Sequence, residues 1–328
     1  MNSKMLIIAN PAAQSGAARE AAERMRRFLS LYDHEKSYEL VYTEHAGHAT
    51  ELAAAATGYE TVFALGGDGV VHEVANGLMR IPKTARPVMG VIPVGSGNDY
   101  ARTLGIPASL VETAELQLGY RPTPMDVGRI EYMPTGCTAN SDEAASPVTE
   151  YFVETFSFGL DAAIAIDTVE RRQRTGLTGG ALYTASGLDV FGRRYRNFPV
   201  HVRVDEADLG EIRPLIFAVQ IGPTYGSGFR ICPDADPSDG LFDICFAAGR
   251  IPRAVALPLF LCAKNGKHVG FKPVHQLRCR QLELQFCESD YPIQADGEQL
   301  HATSAAISIE PAALQVLRPA QRSASVPR

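Results

Sequence analysis

Several features are scarce in this 328-residue sequence, and each scarcity excludes a class of protein. Its six cysteines show no CxxC spacing, which is unlike a zinc finger or a disulfide scaffold and typical of reduced thiols in a cytoplasmic protein. Its longest apolar run, residues 254–263, is about half the length that spans a membrane. The formal net charge is −6, whereas nucleic-acid binders usually carry a strongly basic face, so we expect no nucleic-acid partner.

Two common nucleotide-binding signatures are also missing from the sequence. There is no GxxxxGK[ST] motif, which excludes a P-loop NTPase. Gly95-x-Gly97 continues to Tyr100 where a dinucleotide-binding turn requires Gly or Ala, so a dinucleotide fingerprint is disfavoured. Any nucleotide site in this chain must therefore use another arrangement of glycines.

The sequence does contain a regular alternation of strands and helices over its first 120 residues. Continuous apolar runs predict strands at 4–9, 38–43, 61–66 and 87–95, and a helical pattern follows each of them. Apolar strands that alternate with helices indicate a parallel sheet covered on both faces. Right-handed crossovers then place all the strand-to-helix turns at one edge of that sheet.

The pattern changes near Asp126. Short strands separated by Pro and Gly predict a second, largely antiparallel β domain, with helical insertions near 160–192 and 252–264. The polar segment 133–150 predicts a hairpin loop. The expected fold class is therefore α/β, with an N-terminal Rossmann-like parallel-sheet domain followed by a C-terminal antiparallel domain.

Three strand-to-helix turns of the first domain are unusual when taken together. They are residues 10–16 (NPAAQSG), 66–69 (GGDG) and 95–99 (GSGND), each of which follows a predicted strand. Each turn exposes backbone N–H groups beside a helix N-terminus, and such a place attracts anions. Because all three turns are expected at one sheet edge, we predict a polyphosphate site there.

Two carboxylates, Asp68 and Asp99, stand in these turns although a carboxylate repels phosphate. They are suited to the site if Mg²⁺ lies between them and the phosphates, because hard cations take carboxylate and phosphate oxygens together. Taken singly, Asn98 and Asp99 are typical of helix N-caps. His72, Glu73 and Asn76 share a helix face near Asp68 and, taken singly, are typical of solvated polar positions.

The second domain contains two acidic turns. The first is residues 234–241 (DADPSDGL), which from its spacing either binds a cation or forms Asx turns. The second is Asp296-Gly297-Glu298, and Asp-Gly between apolar runs is the strongest hairpin signal. The residue pattern therefore favours a turn role for Asp296, whereas Glu298 is not required by that turn.

In order along the chain, these segments resemble the bacterial diacylglycerol-kinase-like lipid kinases. The motifs that carry the resemblance are GGDG with VVHEVANGL, IPVGSGNDYAR, MDVGRI, SFGLDA, PDADPSDGLFDICF and ADGEQL, between Ile7 and Ile309. GGDG alone is shared with sphingosine kinases and NAD kinases, whereas the ordered set is more specific. The resemblance implies an α/β nucleotide-binding domain at 1–127, completed by the C-terminal segment 303–328, and a β-sandwich domain at 128–302. It also implies that ATP binds in the cleft between the two domains.

The resemblance also implies roles for individual residues. The nucleotide site would comprise Asn10, Ser15, Gly16, Thr43, Gly66, Gly67, Asp68, Gly69, Glu73, Ser96, Asn98 and Asp99. The metal–phosphate network would use Asp68, Asp99 and Asp296. A second, structural Mg²⁺ would lie at Asp239 and at the main chain of Asp236 and Leu241. Glu298 would accept the proton of the lipid hydroxyl, with Asp296 as the rival base.

The expected function is therefore transfer of the γ-phosphate of Mg-ATP to a lipid hydroxyl, with diacylglycerol as the default acceptor. Other acceptors (a sphingoid base, phosphatidylglycerol, a polyprenol or NAD) and a regulator that binds nucleotide or lipid without catalysis stay open as alternatives. We expect a cytoplasmic protein that visits the inner face of the membrane, with surface arginines between Arg171 and Arg196 as candidate headgroup contacts. A homodimer is compatible with the sequence.

Overall fold

A computed structural model of the chain describes residues 4–32, 37–107, 119–135, 146–176, 179–288 and 291–319. The side chains of a few positions within these ranges, Ser15 among them, lie outside the description. Residues 108–118 and the centre of the predicted 133–150 loop also lie outside it. By its internal contacts the chain divides into two units, Met1–Met125 with Ala313–Arg328, and Asp126–Ala312.

The first unit is built on a parallel sheet with the strand order β2-β1-β3-β4. Its strands are β1 (Lys4–Ala9), β2 (Ser37–Tyr42), β3 (Thr61–Gly66) and β4 (Val88–Pro93). Its helices are α1 (Ala17–Tyr32), α2 (His48–Ala54), α3 (Asp68–Met79) and α4 (Asp99–Leu104). The end of the last strand, β16 (Ala302–Arg318), pairs in parallel with β4 through Val316 and Met89. The predicted parallel sheet is confirmed.

Burial explains why these strands read as continuous apolar runs. In β1, β3 and β4, five of the six residues are buried, as expected for strands covered on both faces. The edge strand β2 is only partly buried and is more polar. The strand predictions at 4–9 and 61–66 are confirmed to the residue, because the apolar run and the buried run coincide there.

The second unit contains two antiparallel sheets that share one core. One sheet has the order β12-β11-β10-β7-β14-β15, and the other contains β9, β8, β13 and the beginning of β16. Buried residues from both sheets form a single cluster, in which the rings of Phe158 and Phe217 stack at 4.9 Å. This arrangement confirms the predicted C-terminal antiparallel domain as a β-sandwich. Its strands are β5 (Arg121–Pro134, which begins in the first unit), β6 (Val148–Phe152), β7 (Thr155–Gly159), β8 (Val200–Val204), β9 (Ala207–Ile212), β10 (Pro214–Gln220), β11 (Phe242–Ala248), β12 (Val274–Cys279), β13 (Gln281–Phe286), β14 (Ile293–Ala295) and β15 (Glu298–Leu300).

Three helices lie in the second unit, where the helical insertions are predicted: α5 (Leu160–Thr175), α6 (Gly179–Arg193) and α7 (Arg253–Ala263). The strands β5 and β6 flank the predicted loop and pair antiparallel, from Gly128 with Phe152 to Tyr132 with Val148. Among the helices that the structure describes, none is both long and apolar enough to cross a bilayer.

Candidate functional site

The three glycine-containing turns lie at the carboxyl edge of the parallel sheet, and backbone hydrogen bonds connect them. The N–H of Asn10 donates to the carbonyl of Leu65 at 3.1 Å, and the N–H of Val94 donates to the carbonyl of Gly66 at 2.7 Å. Thr43, which follows β2, donates its N–H to Ala9 at 2.9 Å. The parallel register thus brings residues 10–16, 43, 66–69 and 95–99 to one edge.

The glycines of these turns allow two segments of main chain to approach each other closely. A Cβ atom placed on Gly95 would lie 2.5 Å from the Cα of Gly67, and one on Gly66 would lie 2.9 Å from Val70. Gly16 has a positive φ of 100°, ends the short 3-10 helix Ala13–Gly16 and has open space around it. The glycines at 66, 67 and 95 therefore have a packing role, which the sequence interpretation did not assign to them.

Asp68 and Asp99 converge on Gly97. The Asp68 carboxylate accepts the backbone N–H of Asp99 at 2.9 Å through Oδ1. A Cβ on Gly97 would meet Asp68 Oδ2 at 2.5 Å and Asp99 Oδ2 at 3.4 Å, so two carboxylate oxygens approach a space that only glycine leaves open. Asp99 is buried and also pairs with Arg102. Two carboxylate oxygens beside the predicted phosphate-binding turns are of the type that a Mg²⁺ ion takes together with phosphate oxygens.

Asn98 occupies the N-cap position of α4, but its side chain does not cap the helix. Its backbone is left-handed, with φ of 52°, and its side chain makes no capping hydrogen bond to α4. Instead its Oδ1 accepts the N–H of Gly95 at 2.7 Å, and its Nδ2 donates to the carbonyl of Gly95 at 2.9 Å. The side chain therefore closes the turn that contains Ser96 and Gly97, because Asn tolerates the left-handed conformation better than most residues.

Glu73 and His72 have structural partners on α3. The Glu73 carboxylate accepts the N–H of Ala49 at 3.0 Å in the first turn of α2, where backbone donors lack helical partners. The Thr50 hydroxyl donates to the Glu73 carbonyl at 3.0 Å. His72 is buried, so the solvated position suggested for it was wrong; its ring nitrogen contacts Asn76. Glu73 therefore joins α3 to α2, and its contacts provide no support for a role in a nucleotide site.

In the second unit, Asp296 and Gly297 form the predicted two-residue hairpin turn between β14 and β15. Both have positive φ, 48° and 94°, as a type I′ turn requires. The Asp296 carboxylate is nearly buried and accepts three backbone N–H groups, from Val153 at 2.8 Å and from Glu154 and Thr155 at 3.0 Å. Glu298, two residues along, is exposed. Asp296 thus fixes the β6–β7 connection, whereas Glu298 is the carboxylate of this turn that is exposed to solvent.

The acidic turn at Asp236–Leu241 contains Asx turns and an ion pair. Asp236 accepts the N–H and hydroxyl of Ser238, and Asp239 accepts the N–H of Leu241 at 3.1 Å and pairs with Arg278. The described residues contain no group of three acidic, His or Cys side chains that could hold a metal ion. Arg278 is therefore a cationic partner of Asp239, as Arg102 is of Asp99. The structural Mg²⁺ that the resemblance implies at Asp239 and at the main chain of Asp236 and Leu241 stays a prediction.

The same turn is anchored by a buried carboxylate that the sequence interpretation quoted in MDVGRI without a role. Asp126 accepts the N–H of Gly240 at 2.7 Å and that of Ala312 at 2.8 Å. Burial raises the pKa of the Asp126 carboxyl above its ordinary value. The signal that could have identified it was an acid placed directly between two apolar residues, Met125 and Val127, in the buried part of β5.

A cavity of about 300 Å³ lies among α5, α6 and α7 in the second unit. Its lining is mostly apolar and includes Ile164, Leu188, Phe191 and Phe260. Its polar side chains are those of Asp161, Tyr225, Ser227 and Lys264. The Tyr225 hydroxyl donates to Asp161 Oδ2 at 2.7 Å. Burial raises the pKa of the Asp161 carboxyl from 3.8 to about 6, against the opposing effect of that hydrogen bond.

The raised pKa of Asp161 predicts a pH-dependent stability. The folded state holds this proton more tightly than the unfolded state, so the stability contribution falls as the pH rises from about 4 to about 6. Asp161→Asn removes the buried charge, and we expect it to raise the free energy of unfolding at pH 7.5 by about 3 kcal/mol. Thermal melting from pH 3.5 to 7.5 measures this, with the exposed Asp234→Asn as control. Parallel melting curves for Asp161→Asn and the native chain across this range would contradict it.

Three of the six arginines between 171 and 196 form ion pairs with acids of the same unit. Arg171 contacts Asp167 at 2.9 Å and Asp189 at 3.0 Å, and Arg193 also pairs with Asp189. Arg196 pairs with Glu288. This stretch therefore carries less net positive charge than its arginine content suggests.

Comparisons with known proteins agree with this architecture. Residues 4–130 match the diacylglycerol kinase catalytic domain, and residues 154–318 match the YegS C-terminal NAD kinase beta sandwich-like domain. A diacylglycerol kinase of Mycobacterium tuberculosis is 30% identical over 319 residues, which are 96% of this chain and 95% of the relative. A diacylglycerol kinase of Bacillus subtilis is 28% identical over 260 residues, 78% of this chain and 77% of that one.

A crystal structure of a diacylglycerol kinase from Bacillus anthracis has the same fold. It superposes with a TM-score of 0.74 at 21% identity, covering 97% of this chain and 98% of the other. The two matched domains and the 30% identical relative, which spans nearly the whole chain, confirm the family that the motifs predict. The chain therefore belongs to the bacterial diacylglycerol-kinase-like lipid kinases, a family of phosphotransferases.

Proposed function

We propose that this chain transfers the γ-phosphate of Mg-ATP to the hydroxyl group of a lipid, with diacylglycerol as the acceptor and phosphatidic acid as the product. The observation that carries the acceptor class is the apolar cavity of the second unit. Its volume of about 300 Å³ is at the lower end of ligand-binding cavities and suits an acyl chain with its attached glycerol carbon.

The polarity of the cavity favours a lipid over a soluble acceptor such as NAD. A charged nucleotide would lose most of its hydration against apolar residues such as Ile164, Phe191 and Phe260, and Lys264 is the one cation among the described lining residues that could compensate its phosphates. The Asp161–Tyr225 pair supplies hydrogen-bonding groups in a mostly apolar wall, which suits a molecule with one hydroxyl and long apolar chains.

The first unit would hold the phosphate donor. We assign the phosphates to the backbone N–H groups of residues 10–16, 66–69 and 95–97, and the Mg²⁺ to Asp68 and Asp99, whose oxygens approach Gly97. The bound Mg²⁺ supplies charge neutralisation on the phosphate oxygens. The N–H of Asp99 fixes one oxygen of Asp68, so the orientation of this carboxylate is set before the donor binds.

The second unit would receive the acceptor's proton. As the lipid oxygen forms its bond to the γ-phosphorus and the bond to the ADP oxygen breaks, the hydroxyl proton moves to the Glu298 carboxylate. Asp296 is poorly suited to that task because its carboxylate already accepts three backbone N–H groups. A lipid acceptor also brings the chain transiently to the surface of a membrane, at its inner face.

Asp68→Asn is the direct test of the donor site. The amide keeps the size of the side chain but loses the charge that holds Mg²⁺, so transfer of labelled γ-phosphate to diacylglycerol in mixed micelles should fall by about 10²–10³-fold. Glu51→Gln, an exposed acid on α2, is the matched control and should retain native activity. Native transfer rates in Asp68→Asn would remove Asp68 from the site. A native chain that phosphorylates NAD but not lipids would overturn the acceptor assignment.

A further inference from the structure

Helix α7 exposes an apolar face. All the exposed residues between its first residue and Lys264 are apolar: Ala254, Val255, Leu257, Pro258 and Leu261. Val255 is 50% exposed, Leu257 40% and Leu261 61%, whereas Ala256, Leu259 and Ala263 pack inward. A surface helix of a globular protein usually carries charged or polar residues on its outer face. An uninterrupted apolar outer face therefore indicates that something apolar covers it.

The segment around this helix is strongly basic in an acidic protein. Residues 249–275 contain five Lys or Arg side chains and no Asp or Glu, although the whole chain has a net charge of −6. Arg250 and Arg253 precede the apolar stripe, and Lys264 and Lys267 follow it. We call Val255, Leu257 and Leu261, together with Arg253, Lys264 and Lys267, the α7 face.

The α7 face is continuous with the wall of the cavity. Leu257, Leu261 and Lys264 line the cavity and are also exposed. Leu188 of α6 has the same two properties, with 63% of its surface exposed. Leu188, Leu257 and Leu261 thus form an exposed apolar rim, along which an apolar chain could enter the cavity.

We propose that the α7 face docks on the surface of an anionic lipid bilayer, with its leucines and Val255 in the acyl boundary and its cations at the headgroups. The proposal rests on the proposed function in one respect, namely that the bilayer supplies the acceptor. Apolar residues bracketed by Lys and Arg are complementary to an anionic membrane surface. A second copy of the chain is a poorer occupant, because a two-fold contact would bring this basic segment against itself.

The test measures binding of the full chain to vesicles that contain neither diacylglycerol nor ATP. The native chain should bind vesicles of equal parts phosphatidylcholine and phosphatidylglycerol, and should bind pure phosphatidylcholine much more weakly. Val255→Gln with Leu261→Gln should lower the partition coefficient by about tenfold or more. Lys264→Gln with Lys267→Gln should lower it by about tenfold on the anionic vesicles only.

Leu209→Gln on β9 is the matched control, because Leu209 is 40% exposed, like Leu257, but lies outside the α7 face. It should bind vesicles as the native chain does, and all variants should keep the native melting temperature. Equal binding to both vesicle types, or native binding by the double variants, would overturn the proposal. So would a stable dimer that needs Val255 and Leu261 while vesicle binding is absent.

The two proposals fail in different ways. Vesicle binding that depends on the α7 face supports the docking surface even if the chain transfers no phosphate to any lipid. Transfer to diacylglycerol in mixed micelles by a chain that does not bind vesicles overturns the docking surface and leaves the kinase assignment in place.

Discussion

Glu298→Gln is expected to lower the turnover of phosphate transfer by about 10²–10⁴-fold while nucleotide binding is unchanged, because the amide cannot accept the proton of the lipid hydroxyl. Glu298 is exposed at the start of β15 and belongs to a different unit from the glycine turns that we assign to the phosphates. Steady-state turnover with saturating diacylglycerol and equilibrium binding of Mg-ATP measure the two effects separately.

The matched control is Glu206→Gln. Glu206 is also exposed. It belongs to the two-residue hairpin turn between β8 and β9, whereas Glu298 directly follows such a turn, so the same chemical change is made in a similar place. It should have native turnover. Native turnover in Glu298→Gln as well would remove Glu298 as the proton acceptor, and a parallel loss of nucleotide binding would indicate that it acts on the donor.

The fold could be predicted from the sequence because burial and sequence pattern coincide. Strands β1 and β3 are buried on both faces, so their apolar runs have the same limits as the strands themselves. Strand β2 is a partly buried edge, and its prediction was displaced by one residue.

The candidate site could be predicted only where a residue's type is tied to local geometry. The Asp296-Gly297 turn follows from sequence because a type I′ turn requires positive φ at both positions. The parallel sheet let us expect that Asp68 and Asp99 lie near each other. The distances of their oxygens from Gly97 could not be predicted from the sequence. The cavity polar pair could not be predicted, since Asp161 and Tyr225 are 64 residues apart and only the packing of the second unit brings them together.

Asp239 shows that the partner of a motif residue can come from a distant part of the chain. Its acidic turn resembles a cation site in sequence, yet Arg278, a residue of β12, is the cation that it contacts. The positive partner comes from a distant strand through antiparallel pairing, in which Arg278 lies opposite Asp243. Sequence spacing within the turn carries no information about such a partner.

Asp296→Ala is expected to destabilise the protein rather than to alter its chemistry alone. Three backbone N–H groups, of Val153, Glu154 and Thr155, would lose their acceptor in a nearly buried place, and Ala would be strained at a φ of 48°. The expected cost is about 3 kcal/mol or more, which for a unit of this size lowers the melting temperature by about 6–12 °C.

Asp296→Asn separates the anchoring role from a catalytic one. Asparagine accepts the left-handed backbone and retains one oxygen for Glu154 and Thr155, but its amide group opposes the N–H of Val153. The loss of melting temperature should therefore be smaller than in Asp296→Ala, with turnover retained in the fraction that stays folded. If both variants instead melt as the native protein does and both lose turnover, Asp296 acts on the reacting groups, and the base assigned to Glu298 would have to be reconsidered. The three hydrogen bonds of Asp296 exist before any substrate binds. If Asp296 is a structural residue, its substitution must therefore lower the melting temperature even without substrate.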